Sequence, residues 1–229
     1  MPVLEGVKGI LFDCYDTLIE IRRDEEDIAA YEALSAWLRY QGVSIDPSAI
    51  RDEYRTRIRR TMDQRKEKYP EVRLEEIFRG ICADYRLWEI DEMIVGIQAA
   101  RTFRAASLRR FRAFPETVRL LDHLGYVAKG IVSNGQRVFS EIELKYLGLH
   151  HHFDVIVFSS DIGVKKPDPR IFQVALDALS LEPEEALFIG DSFEADILGA
   201  QKVGMQAMFI REAWRIPDRG YTEYLYARR

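Results

Sequence analysis

The sequence predicts an α/β fold: a parallel sheet with an all-helical domain inserted after its first strand. Two observations predict it. After about Arg110, short apolar runs alternate strictly with stretches of helical periodicity, the pattern of a parallel sheet covered on both faces. Between about Glu20 and Leu108, apolar residues recur at helical spacing and no convincing strand is found. The sheet domain is therefore expected over 1–20 and 108–229, and the helical insert over 21–107.

The first strand is the apolar run Gly9 to Phe12, which ends in a polar turn. In the insert, Ile28, Tyr31, Leu34 and Leu38 share one helical face, as do Ile77, Ile81 and Tyr85. Gly42, Asp46-Pro47 and Pro70 punctuate it into three to five helices. Beyond it, Pro115 opens a helix with Val118, Leu121 and Leu124 inward, closed by Gly125. Val127 to Val132 is a strand, and Gln136 to Leu147 a helix stopped by Gly148. Val155 to Phe158 is the next strand, and Asp168-Pro169 reads as an N-cap followed by proline at the first helical position. Ala186 to Ile189 is a strand, Phe193 to Val203 a helix stopped by Gly204, and Ala207 to Ile210 a last strand.

Composition narrows the function classes. A formal net charge of −5 over 229 residues gives no electrostatic footprint for nucleic acid or an anionic membrane. No apolar run approaches the roughly 18 residues of a membrane helix, and the first residues lack the charge and length of a signal peptide. The two cysteines, Cys14 and Cys82, are too few for a disulfide framework and fit a reducing cytoplasm. A cytoplasmic monomer or homodimer acting on a small anionic molecule is expected.

In an open parallel sheet, ligands bind beyond the carboxyl ends of the strands. Here those ends carry Asp13, Ser133-Asn134-Gly135, the loop Lys166-Pro167-Asp168-Pro169, and Gly190-Asp191-Ser192 with Asp196 five positions after Asp191. Asp13, Asp191 and Asp196, the Ser133 hydroxyl and the Lys166 ammonium at one edge suit metal-assisted attack on a phosphoryl group: carboxylates suit Mg²⁺, cations and hydroxyls neutralise phosphoryl oxygens, and a carboxylate can be the nucleophile.

FDCYDTL, IVSNG, VKKPDPRIF and FIGDSFEADILGA resemble, in order, the four motifs of the haloacid dehalogenase superfamily, and the resemblance spans essentially the whole chain. It implies a Rossmann-like core with a C1-type helical cap. Asp13 then matches the nucleophile and Thr17 fixes the register of the first motif, among the catalytic residues with Ser133 and Lys166. Ser133, Asn134, Lys166 and Tyr15 would contact substrate. Asp13, the Tyr15 carbonyl, Asp191 and Asp196 would serve a Mg²⁺ ion, Asp196 by orienting its shell.

One position departs from the phosphatase pattern. The family's second acid, which protonates the leaving alkoxide, is replaced by Tyr15, and Asp16 falls one position later as a turn residue. A phenol with an ordinary pKa near 10 is a poor base at neutral pH. Tyr15 resembles the first motif of the L-2-haloacid dehalogenases, whereas Gly190-Asp191 and Asp196 resemble the fourth motif of the Mg²⁺-dependent phosphatases. The leading expectation is a phosphatase of small metabolites working through an aspartyl-phosphate. The alternative is 2-haloacid chemistry through an aspartyl ester, and a third reading is a silent binding protein of the same fold.

The remaining features have plainer readings. The basic stretch Arg51 to Lys68 is a solvated face, His150-His151-His152 a loop, and Cys14 a small packed residue. The aromatic residues Trp214, Tyr221, Tyr224 and Tyr226 either pack on the core or form a dimer contact.

Overall fold

The computed structural model describes residues 6–125 and 127–215. At its centre is a five-stranded, all-parallel sheet of order β5-β4-β1-β6-β7. The strands are β1 (Gly9–Phe12), β4 (Ala128–Ser133), β5 (Val155–Phe158), β6 (Ala186–Gly190) and β7 (Gln206–Phe209). β1 pairs with β4 on one side and β6 on the other, and all four of its residues are buried. A strand hydrogen-bonded on both edges and covered on both faces requires a continuous apolar run.

Helices α5 (Pro115–His123), α6 (Arg137–Tyr146), α7 (Ser159–Ile162), α8 (Pro169–Leu179), α9 (Leu198–Val203) and α10 (Ile210–Ala213) alternate with these strands. α8 shows how local sequence starts an element. Asp168 accepts a hydrogen bond from the Arg170 amide, Pro169 occupies the first turn, and Ile171, Phe172, Ala175 and Leu176 are buried. Before α9, residues Phe193–Ile197 wind as a π-helical turn, so the expected helix over 193–203 begins in a wider form.

Four helices lie between β1 and α5: α1 (Ile28–Tyr40), α2 (Pro47–Gln64), α3 (Leu74–Tyr85) and α4 (Glu92–Ser107). They enclose a second core, in which Tyr54, Phe78 and Phe103 meet with ring centroids 5.2 to 5.7 Å apart. The absence of strands expected from Glu20 to Leu108 does not hold at its edges. β2 (Ile19–Arg23) and β3 (Leu108–Ala113) pair antiparallel as a separate ribbon. Ile19, Ile21, Phe111 and Ala113 turn one face to the core, while Glu20, Arg22, Arg110 and Arg112 occupy the other. Partners so far apart in sequence, with charges at alternate positions, leave no local strand signal.

The helical layer is fastened to the sheet layer twice. Segment 69–74 lies along the loop before Lys166: the Lys165 amide donates to the Tyr69 carbonyl (2.9 Å), and the Glu71 amide to the Gly163 carbonyl (3.0 Å). Gln136 closes this join, donating to the Val72 carbonyl and accepting from the Leu74 amide. On the other side, Arg104 of α4 forms a buried ion pair with Glu143 of α6.

Trp214 packs on the core, its ring 5.0 Å from Phe114 and its indole N–H donating to Thr117 Oγ1. Tyr221, Tyr224 and Tyr226 lie outside the described residues. His150–His152 form a single 3₁₀ turn, and Cys14 is fully buried. Among the described residues, no helix is long and apolar enough to cross a membrane.

Phe78→Ala removes the ring at the centre of the second core, and a loss of about 3–5 kcal/mol is expected, measured by chemical denaturation.

Candidate active site

Asp13 follows β1 directly, and its amide donates to the Ile189 carbonyl of β6 at 2.9 Å. This bond carries the sheet ladder one residue further and fixes the side chain at the carboxyl edge. Lys166, buried, places its ammonium 2.6 Å from Asp13 Oδ1 and 2.7 Å from Asp196 Oδ1. The other oxygen of Asp196 accepts the backbone amides of Asp191 (3.1 Å) and Ser192 (2.9 Å). Gly190 is needed for this approach, because a Cβ there would collide with the Asp196 carboxylate. The π-helical turn brings Asp196 back over the end of β6, as such turns do at functional sites.

Asp13, Asp191 and Asp196 each offer an oxygen within 4.8 Å of the others. Asp191 is exposed and the other two are buried. Burial pushes the Asp13 carboxyl up to about 7, against the pull of Lys166 and with help from Asp196. Asp191 is raised by burial and then by Asp196 and Asp16. Burial disfavours the Lys166 ammonium, but Asp13 and Asp196 outweigh it and hold its pKa above the ordinary value.

The other residues expected at the site fall into two groups. Ser133 and Thr17 are buried, and among the described residues the hydroxyl oxygen of each lacks a hydrogen-bond partner. An unpaired buried hydroxyl costs roughly 1–3 kcal/mol, so each has spare capacity for a ligand. Asn134 is already engaged: its carbonyl accepts from the Lys166 amide (2.7 Å) and its NH₂ donates to the Lys166 carbonyl (3.2 Å). It clamps the backbone that presents the ammonium, where the Lys166–Pro167 peptide is cis. Asp16 is exposed with φ of 59°, the left-handed turn conformation that aspartate tolerates.

Tyr15 is also engaged. Its hydroxyl donates to Glu143 Oε2 at 2.5 Å and lies 2.7 Å from Ser140 Oγ. Burial, with Cys14 and Glu143 adding to it, pushes the phenol well above its usual pKa. Glu143 in turn takes Arg104 Nε (2.6 Å) and Nη2 (3.1 Å), and the guanidinium lies over the Tyr15 and Phe139 rings. Sequence reasoning missed Arg104, Ser140 and Glu143. A signal for Glu143 existed: it sits on the buried face of α6 beside Leu144, where a carboxylate needs a partner. Cys14, buried with its thiol pushed well up, is not a reactive thiolate.

Residues 7–204 match the haloacid dehalogenase-like hydrolase family, and the chain belongs to it. Over 205 residues it is 31% identical to glyceraldehyde 3-phosphate phosphatase of Methanopyrus kandleri, covering 90% of this chain and 84% of that protein. A glyceraldehyde 3-phosphate phosphatase of Methanothermobacter thermautotrophicus is 35% identical over 125 residues, which span 53% of this chain and 55% of that one. The crystal structure of a HAD phosphatase from Thermococcus onnurineus superposes with a TM-score of 0.56 at 28% identity, covering 94% of this chain and 90% of that one. A 2-haloacid dehalogenase from Pseudomonas syringae shares the fold, with a TM-score of 0.65 at 24% identity over 89% of this chain and 86% of that one.

Two outcomes are expected. Glu143→Ala strands Arg104 in a buried setting and should cost about 3–5 kcal/mol in chemical denaturation. Because the folded carboxyl of Asp13 is raised from 3.8 to about 7, the native state holds a proton that the unfolded chain releases. The stability this group contributes is present below about pH 4 and lost as pH rises to 7. Asp13→Asn should therefore gain on the wild type between about pH 4 and 7, by at most about 1.4 kcal/mol per pH unit, in melts run with chelator.

Proposed function

We propose that the chain is a Mg²⁺-dependent phosphohydrolase of small phosphorylated metabolites, with Asp13 as nucleophile. The observation that carries this reading is the buried chain Asp13–Lys166–Asp196 beside Asp191. It presents a carboxylate already oriented by an ammonium, at the edge of a site with surplus negative charge. Burial, and after it the repulsion between the acids, raises Asp13 and Asp191, and a hard divalent cation would offset both. Asp13, Asp191 and the Tyr15 carbonyl would hold that ion. Asp196, whose Oδ2 accepts the Asp191 and Ser192 amides and whose Oδ1 is ion-paired with Lys166, steadies the loop that carries Asp191. When bound, the ion supplies charge neutralisation for the transferring phosphoryl oxygens.

The chain's own residues do the rest. An oxygen of Asp13 attacks phosphorus, the bond to the leaving oxygen breaks, and an aspartyl-phosphate forms. Ser133 and Lys166 donate to the phosphoryl oxygens, for which the unpaired Ser133 hydroxyl is suited. Water then attacks phosphorus, returning the Asp13 carboxylate and losing its proton to solvent. The helical layer serves as the cap that excludes bulk water.

The Tyr15 phenol, donated to Glu143, is not available to protonate a leaving alkoxide. General-acid help is worth about 10²–10⁴-fold. Acyl and aryl phosphates, whose leaving groups need no proton, should be turned over faster than alkyl phosphates by a margin of that order. The names of the archaeal relatives support a small phosphorylated metabolite as substrate.

Tyr15 also favours a second reading, attack of Asp13 on the carbon of a 2-haloacid, where halide leaves without protonation. Halide release from 2-chloropropionate in chelator would establish it.

The deciding assay is phosphate release from acetyl phosphate and p-nitrophenyl phosphate. Activity is expected with Mg²⁺, lost in chelator, and reduced to background in Asp13→Asn. Release that persists in Asp13→Asn would sink the mechanism. Mg²⁺-induced stabilisation of the wild type should also grow from pH 6 to 8, as Asp13 gives up its proton, and a flat profile would count against the ligand set.

A further inference from the structure

A cleft of about 670 Å³ opens beside the reacting groups. One wall carries Tyr15, Asp16 and Asn134 from the ends of β1 and β4; the other carries Arg22, Arg23 and Arg109 from the ribbon. Three guanidinium groups in one cleft must be matched by acids, by solvent or by a ligand. Arg109 is matched by Asp27, at 2.5 Å. Arg23 is matched by Glu25, at 3.3 Å, and by the field of Asp16. Arg22 is the exception: it is exposed, and among the described residues it has no acidic partner.

Its surroundings sharpen the imbalance. Across the ribbon, Arg22 sits opposite Arg110, and like charges directly opposite each other are destabilising. Glu20, the acid on that face, is taken by Arg110 and Arg112. One ribbon face thus carries three arginines for one glutamate, with the unmatched one at a cleft that reaches Tyr15 and Asn134. A guanidinium offers planar paired N–H donors that fit an oxyanion in bidentate fashion.

Resting on the phosphoryl-transfer reading above, we infer that the substrate carries a second oxyanion on its leaving group, and that Arg22 is the specificity-determining residue that receives it. The chemistry at Tyr15 and the charge at Arg22 point to one class of substrate. Without a proton donor, the P–O bond breaks with its electron pair staying on the leaving oxygen. Leaving groups that accept that pair readily and also bear an anion are phosphates, as in a phosphoanhydride, and enolates bearing a carboxylate. Arg22, in the lining of this cleft with Tyr15 and Asn134, selects the second anion.

Binding separates this inference from the reaction itself. Calorimetric titrations of Asp13→Asn in chelator use phenyl phosphate, with one anionic group, and pyrophosphate and phosphoenolpyruvate, each with two. The two-anion ligands are expected to bind at least tenfold tighter than phenyl phosphate. Adding Arg22→Ala should bring them to the phenyl phosphate level, and Arg22→Lys should keep part of the preference. Loss with pyrophosphate alone would assign the second anion as a phosphate, and loss with phosphoenolpyruvate alone as a carboxylate. Equal weakening of all three ligands, or none, overturns the role of Arg22. Phosphate release by the wild type is read separately: silence there with Arg22-dependent binding intact removes the phosphohydrolase reading alone, and release without Arg22-dependent binding removes the second anion alone.

Discussion

Lys166 holds two carboxylates that could not otherwise share a buried edge. Its ammonium is almost wholly withdrawn from water between Asp13 and Asp196, and an isolated buried ammonium or carboxylate costs several kcal/mol. Neither Asp13 nor the β6 loop can therefore be placed without the lysine, and the lysine cannot be buried without them. The surrounding parts follow from that requirement. Asn134 clamps both backbone groups of Lys166, Gly190 leaves room for Asp196, and the π-helical turn returns Asp196 over the strand end.

The loop that presents Lys166 is also where segment 69–74 of the helical layer is fastened, through backbone bonds at Gly163 and Lys165. The second fastening, Arg104 to Glu143, ends at Tyr15, two residues from Asp13. Both joins therefore terminate next to the candidate site, one at Lys166 and the other two residues from Asp13. Sheet edge and helical layer meet through buried, hydrogen-bonded contacts, so the position of one is registered at the other by packing and not by long-range fields.

Much of this was legible in the sequence because each strand is short, apolar and closed by a turn, and because parallel strands deliver their ends to one edge. Asp13, Ser133, Lys166, Asp191 and Asp196 could be gathered from those rules. The ribbon could not: β2 and β3 are distant in sequence and alternate charge with apolar residues, so neither reads as a strand until paired. The commitments of Asn134 and Tyr15 were hidden for another reason. Their motif positions suggest ligand contact, and only the three-dimensional neighbours show that an amide is spent on a backbone and a phenol on a carboxylate. Glu143 and Arg104 belong to helices whose contact nothing local specifies.

The phenol–carboxylate–guanidinium chain couples three positions. Placing an acid at position 15 by one substitution would put a second carboxylate into the pocket where Tyr15 now donates to Glu143, and would take away the ring beneath Arg104. The intermediate would carry two acids on one arginine in a dry site. The change to an acid at position 15 thus passes through a less stable protein unless the contact between α4 and α6 is rebuilt with it: the three residues can be exchanged only together.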